Sequence, residues 1–204
     1  LVHKAGRYGL GSATTSFLEE LGILVDLSVA PAFDFSADGG PDYSRHSADV
    51  FWHSDTVLGI PTTGSYIGPL RDFGARLYAS GAQGNTPLRL LSRVLSRARL
   101  VERIMLSPEG HSLDKLTRLT RDLVENGQPV VTLSFHSSSL RPGATTYICS
   151  EPEVKEFIDR CRQYFDFFLG TLQGTATTAT RLRERIIAST CLLYTSDAAD
   201  DDRS

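Results

Sequence analysis

Blocks of apolar residues alternate with blocks of helical periodicity along this chain. Four apolar runs predict strands, at residues 23–29, 57–60, 101–106 and 130–135. Apolar positions at three- and four-residue spacing predict helices over 12–21, 88–99, 112–125 and 152–169, and a last helix that begins at Thr178 or Thr180. Alternating strand and helix units build parallel sheets and barrels, so the pattern predicts an α/β fold.

The apolar run 130–135 leads directly into a histidine. Gly127 and Pro129 precede this β-branched run and a serine cluster follows it, which is typical of a strand buried on both faces. His136 then lies at the carboxyl end of the predicted strand, where α/β sheets present side chains to a shared cleft. An imidazole in that place can transfer protons. The alternative is a histidine that caps the strand and bonds to backbone.

A glycine-rich loop opens the chain and is followed by a helix and a strand that contains an acid. Residues 4–11 hold three glycines together with Lys4, Arg7 and Tyr8, a composition that lets backbone approach a ligand closely. Ser12 is the expected N-cap of the next helix. Asp26 lies in the run 23–29, which is apolar except for Asp26 and Ser28, and a carboxylate in a buried strand needs a partner. That partner is either structural or part of a site.

Residues 30–55 form a long polar segment that contains several aromatic side chains. Long loops above a barrel often line the ligand cleft. Trp52 and Tyr43 are candidates for a platform against which a sugar ring stacks. The competing interpretation is that both rings pack the loop onto the body of the protein.

Composition narrows the possible functions. The 204 residues are 41% hydrophobic and 22% charged, which is typical of a globular domain with one core. The chain has 21 basic and 24 acidic residues, so no basic excess indicates a nucleic-acid partner. No apolar run approaches the roughly 18 to 20 residues that span a bilayer, so we expect no membrane segment in this sequence.

The last fourteen residues differ in character from the rest. Residues 191–204 resemble the conceptual translation of a sequencing-library adapter, and we expect the native sequence to end near Thr190. This tail carries four acids and one base, so residues 1–190 are neutral. The sequence therefore divides into 1–190, the protein domain, and 191–204, a non-native tail. The alternative is a disordered native acidic tail.

Several motifs occur in an order that matches a known family. They are Lys-Ala-Gly-Arg-Tyr-Gly at 4–9, Leu-Gly-Ile-Leu-Val-Asp-Leu-Ser-Val at 21–29, Leu-Gly-Ile-Pro-Thr-Thr at 58–63 and Leu-Ser-Phe-His-Ser at 133–137. Over roughly residues 1 to 183 the chain resembles the polysaccharide deacetylase family with its NodB-like domain, and is most similar to the WalW-like branch. The resemblance implies an incomplete distorted (β/α) barrel that lacks its first strands. It also implies removal of N- or O-acetyl groups from a polysaccharide.

The resemblance further implies a divalent metal, usually zinc. In the family an aspartate and two histidines of the first two motifs hold this metal, and neither motif is visible here. We therefore expect the ligands upstream of Leu1 and treat the sequence as a fragment. The other histidines do not replace them: His46 and His53 are seven residues apart, which matches no familiar ligand pair, and we expect His111 to face solvent.

Roles can be carried over for five residues. His136 matches the histidine that protonates the leaving amine or alcohol, and Asp26 resembles the carboxylate that tunes it. Tyr8 resembles the aromatic residue whose backbone amide faces the oxyanion. Lys4 stands where the family has an arginine that orients the catalytic aspartate, and lysine lacks the two-pronged guanidinium. Arg7 is an alternative source of that charge.

A second interpretation is a carbohydrate-binding relative that keeps the fold and an aromatic cleft but has lost hydrolysis. Lys4 and the absence of a tryptophan after Asp26 favour it. On the hydrolase interpretation, His136, the opening loop and Asp26 share one pocket.

Overall fold

Short strands form two small sheets, and helices pack around them. The computed structural model describes the backbone of residues 1–11, 13–82 and 86–200, and the side chains of these residues except those of 79–86 and 190–200. Ser12, the expected N-cap of the first helix, lies outside the described residues. The described chain is a mixed α/β structure.

The first sheet has the order β1-β2-β4-β3. Its strands are β1 (Val2–His3), β2 (Val25–Asp26), β3 (Phe51–Trp52) and β4 (Leu58–Gly59). The first, second and fourth run parallel, and β3 runs antiparallel to β4. This register places His3 opposite Asp26, and Asp26 opposite Gly59. The predicted strands 23–29 and 57–60 are thus present, with shorter hydrogen-bonded cores.

The second sheet is an antiparallel pair that packs against the largest cluster of buried apolar residues in the described chain. Strand β5 (Gly64–Ile67) pairs with β6 (Glu102–Met105), which lies within the predicted run 101–106. The buried core beside it combines residues of both strands with leucines of a helix and one tyrosine: Ile67, Ile104, Leu106, Leu116, Leu119, Leu123 and Tyr164.

Five of the six α-helices that the described residues form lie on predicted segments, and one, Gly74–Ala82, was not predicted. The helices are α1 (Thr14–Glu20), α2 (Gly74–Ala82), α3 (Thr86–Arg97), α4 (Leu113–Glu125), α5 (Glu151–Phe165) and α6 (Ala179–Asp200). A wider π-helical turn, Asp166–Thr171, continues α5. Helix α4 ends before Gly127, whose φ of +85° is readily adopted only by glycine. A capping box formed by Ser150 and Glu153 begins α5.

The prediction that residues 130–135 form a fully buried sheet strand is wrong. Residues 128–136 form neither helix nor strand and belong to neither sheet. Ser134 donates its backbone N–H to the carbonyl of Leu106 at 3.1 Å, and Thr132 donates its own to the hydroxyl of Thr63 at 2.7 Å. The segment is half-buried because it follows the edge of the second sheet, and Phe135 and His136 are exposed.

The described residues contain no closed barrel, and the barrel implied by the resemblance stays a prediction.

Helix α6 extends from the protein domain into tail residues 191–200, so helix formation does not test the origin of the tail. Among the residues that the structure describes, no helix combines the length and apolarity needed to cross a membrane.

The core under the second sheet should dominate stability. Leu119 on α4 is fully buried, whereas Leu90 on α3 is 62% exposed. We expect Leu119→Ala to lower the free energy of unfolding by about 3 kcal/mol through lost burial and a residual cavity. The matched variant Leu90→Ala should change it by less than about 0.5 kcal/mol. Urea unfolding followed by circular dichroism checks both; equal effects would contradict the assigned core.

Candidate functional site

A cleft of about 1000 Å³ opens where three segments end on the same side of the molecule. The opening loop follows β1, residues 107–111 follow β6, and His136 is the last residue of the segment 128–136. Side chains of different character share its wall: Lys4, Arg7, Tyr8, Phe35, Glu109, His111, His136 and Tyr147. Several segments therefore bring both charged and aromatic groups to one concave surface, as expected of a binding site.

His136 is held by a buried carboxylate. Its Nδ1 lies 2.8 Å from Oε2 of Glu109, and its backbone N–H donates to Oε1 of Glu109 at 2.9 Å. The hydroxyl of Ser139 also donates to Oε1. The side chain of Glu109 is only 6% exposed, while that of His136 is 67% exposed. The carboxylate of Glu109 is thus fixed in the protein interior, and the imidazole of His136 reaches into the cleft.

Helix α5 contacts the segments that precede both members of this pair. The guanidinium of Arg160 donates to the carbonyl of Pro108 at 2.7 Å. Phe157 packs edge-to-face on Phe135 with ring centroids 5.2 Å apart. The helix therefore supports the loop of Glu109 and the end of the segment 128–136 together.

The opening loop forms the opposite wall with stacked rings. Tyr8 and Phe35 have ring centroids 5.0 Å apart and planes that differ by 16°. Arg7 and Tyr8 have φ values of 54° and 58°, in the left-handed region that non-glycine residues seldom adopt and that often marks functional loops. Burial raises the pKa of Tyr8, and the charge of Glu109 acts in the same direction. Tyr8 therefore stays neutral at physiological pH.

Two cations lie along this wall. The ammonium of Lys4 donates to the hydroxyl of Thr62 at 3.1 Å and lies 5.5 Å from the ring centroid of Tyr8. Desolvation lowers the pKa of Lys4, although the charge of Asp26 opposes this. Arg7 is exposed and lies 3.7 Å from Asp38. Of the five carried-over residues, the structure thus brings Lys4, Arg7, Tyr8 and His136 to one cleft.

Asp26 lies elsewhere, buried inside the first sheet. Nδ1 of His3 and the hydroxyl of Ser28 donate to its Oδ1 at 2.7 and 2.6 Å. Nε2 of His53 and the backbone N–H of Ser28 donate to its Oδ2 at 3.3 and 3.1 Å. Burial acts to raise the pKa of Asp26, but these hydrogen bonds outweigh it and hold the pKa at about 2. Both carboxylate oxygens are fully used within the sheet.

The expected pairing of Asp26 with His136 is therefore wrong, because Glu109 is the acid that contacts His136. Sequence reasoning missed Glu109. Its signal was the same as that of His136: a polar residue shortly after an apolar run, here 101–106. His111, expected in solvent, is half-buried and lines the cleft, and burial lowers its pKa.

Tyr43 and Trp52, the two proposed sugar platforms, lie in different environments. Tyr43 is 5% exposed and packs with Val29 and Ala30, while its hydroxyl donates to the carbonyl of Tyr8 at 2.9 Å. Burial raises the pKa of Tyr43 to about 12. Its ring offers no face to a sugar, so the packing interpretation is correct for Tyr43. Trp52 is 42% exposed but does not line the cleft.

The described residues do not fit the metal that the resemblance implies. In the described ranges, no group of three or more His, Cys, Asp or Glu side chains is arranged to hold a metal ion. His3, Asp26 and His53 come together, but each imidazole directs a nitrogen at a carboxylate oxygen rather than at a shared point. We therefore derive no step through a metal.

The His136 and Glu109 pair has the chemistry of a proton-transfer site. An imidazole fixed at one nitrogen by a carboxylate can donate or accept a proton at the other.

Comparison with protein-family models, curated proteins and solved structures finds no match to this chain. The interpretation of the cleft thus depends on its own geometry.

Asp26 should make stability sensitive to acid. Its folded-state pKa of about 2 lies below its ordinary value of 3.8, so it stabilises the fold above about pH 4 and loses this effect as the pH falls towards 2. We expect Asp26→Asn to lower the free energy of unfolding by about 2 kcal/mol at pH 7 and to flatten the decline between pH 4 and 2. Urea unfolding at several pH values measures both.

The exposed variant Asp159→Asn on α5 is the matched control, and it should leave the acid profile unchanged. A profile of Asp26→Asn that parallels that of the unsubstituted chain would show that Asp26 does not carry this dependence.

Proposed function

We propose that this chain provides the leaving-group side of a metal-dependent deacetylase that acts on acetylated polysaccharides. In this proposal the fold is an incomplete distorted (β/α) barrel of the NodB type, and the divalent metal is bound by donors other than the described residues. The observation that carries the proposal is the imidazole of His136, fixed by a buried carboxylate and exposed to the same cleft as the opening loop.

His136 has the proton-transfer role. As the acetyl group leaves, the bond between its carbonyl carbon and the sugar nitrogen or oxygen breaks, and the electron pair stays on the leaving atom. That atom needs a proton, which Nε2 of a protonated His136 supplies. The side chain is 67% exposed and its Nδ1 is engaged by Glu109, so Nε2 is the nitrogen available for this step.

The opening loop supports charge and sugar binding. The cations Lys4 and Arg7 favour the negative charge that develops on the acetyl oxygen during attack. The stacked rings of Tyr8 and Phe35 offer apolar area to the face of a sugar ring. A volume of about 1000 Å³ is at the upper end for small-ligand sites, which suits several sugar units better than one.

The second candidate is a carbohydrate-binding relative without hydrolysis. One observation favours it: Asp26, the acid that the family resemblance assigns to catalysis, is occupied inside the first sheet rather than in the cleft. Both candidates require glycan binding in the cleft. They differ in acetate release.

Acetate release tests the proposal directly. The protein as its gene encodes it, with any coding sequence that precedes Leu1, is incubated with N-acetylglucosamine oligomers and with O-acetylated xylan in the presence of zinc. We expect acetate release from one substrate class and expect His136→Asn to lower kcat by about 100-fold or more with little change in KM, because the general acid is lost. Asp159→Asn is the surface control and should retain the kcat of the unsubstituted protein.

Three other outcomes of this experiment are possible, and each leads to a different conclusion. Saturable oligomer binding without acetate release would support the carbohydrate-binding relative. Absence of both would overturn the glycan assignment. Full activity of His136→Asn would remove His136 from the mechanism.

A further inference from the structure

We propose that Glu109 is the positioning residue of His136, and that it selects the imidazole tautomer with the proton on Nδ1. The structural part of this inference depends only on contacts within the chain. Its kinetic consequence rests on the proposed function.

Glu109 fixes two separate parts of the same residue. Oε2 contacts the ring nitrogen Nδ1, and Oε1 accepts the backbone N–H of His136. A carboxylate that held the ring alone would leave the backbone free to rotate the imidazole away. With both contacts, the position of the Cα atom and the direction of the ring are set by one side chain.

Glu109 is itself well held. The hydroxyl of the fully buried Ser139 donates to Oε1, and the backbone N–H of Glu109 donates to the hydroxyl of Ser107 at 3.3 Å. Arg160 of α5 binds the carbonyl of the preceding residue, Pro108. These contacts come from three separate segments, so the carboxylate cannot turn towards solvent without breaking several hydrogen bonds.

The contacts determine which nitrogen carries the proton. An ionised carboxylate only accepts hydrogen bonds, so the 2.8 Å contact requires a proton on Nδ1. Neutral His136 then has its lone pair on Nε2. The ring can take a second proton there, give it to the leaving atom, and return to the same Nδ1-protonated form.

Asp26 cannot substitute for Glu109 in this role. His3, His53 and Ser28 occupy both of its oxygens, and Asp26 does not line the cleft. Substitution of Asp26 should therefore leave the tautomer of His136 unchanged, which makes it a control for the substitutions of Glu109.

The tautomer of His136 can be measured without any substrate. Long-range ¹H–¹⁵N correlation spectra of the ¹⁵N-labelled chain, recorded at a pH where the ring is neutral, identify the protonated nitrogen. We expect the Nδ1-protonated form in the unsubstituted chain. Glu109→Leu removes every acceptor, and Glu109→Gln keeps the shape; in these variants we expect His136 to shift towards the Nε2-protonated form. Asp26→Asn and Asp159→Asn should leave His136 unchanged.

Circular dichroism establishes that each variant is folded, and Glu109→Gln decides the result if Glu109→Leu unfolds. Retention of the Nδ1-protonated form by the folded Glu109 variants would overturn the inference. A shift caused by Asp26→Asn alone would also overturn it.

The kinetic arm uses the acetate assay on the gene-encoded protein. We expect Glu109→Gln to lower kcat by about 10-fold or more, with KM nearly unchanged, because a misplaced acid loses its alignment with the leaving atom. If the unsubstituted protein releases no acetate, the proposed function fails while the tautomer result still decides the role of Glu109. Unchanged kcat with a shifted tautomer would overturn the kinetic consequence.

Discussion

A carboxylate removed from water must be surrounded by hydrogen-bond donors, and this chain meets that requirement twice with histidine. Asp26 lies between His3 and His53 inside the first sheet, and Glu109 holds His136 at the cleft. The two arrangements use the same chemical groups. They differ in the exposure of the imidazole: the side chain of His53 is 8% exposed and that of His3 27%, whereas that of His136 is 67% exposed.

That difference separates a stabilising group from the one proposed to react. His53 is nearly buried with Asp26, so its hydrogen bond serves the packing of three strands. The imidazole of His136 is mostly exposed while its acid is not. Only the second arrangement combines a fixed ring with access for a ligand, which is why the function is assigned to the cleft.

The hydrophobic pattern of the sequence predicts elements that depend on local periodicity. It fails for features that depend on contacts between residues distant in the sequence. Helix α4 and strand β6 follow from their leucine and β-branched patterns. The apolar run 130–135 does not form a sheet strand, because its contacts do not make a backbone ladder: Ser134 bonds the carbonyl of Leu106, whereas Thr132 bonds the side chain of Thr63. Pattern alone also cannot tell that Tyr43 faces the core or that Glu109, 27 residues before His136, is its partner. Those facts depend on how distant segments meet.

Helix α5 gives this cleft a shared mechanical support. Arg160 holds the carbonyl before Glu109, and Phe157 packs on the ring before His136. Because the loop of Glu109 and the segment of His136 both contact α5, the separation of the two side chains depends on the placement of this helix. Any partner or ligand that moved α5 by a fraction of a hydrogen-bond length would change the alignment of the pair without touching either residue.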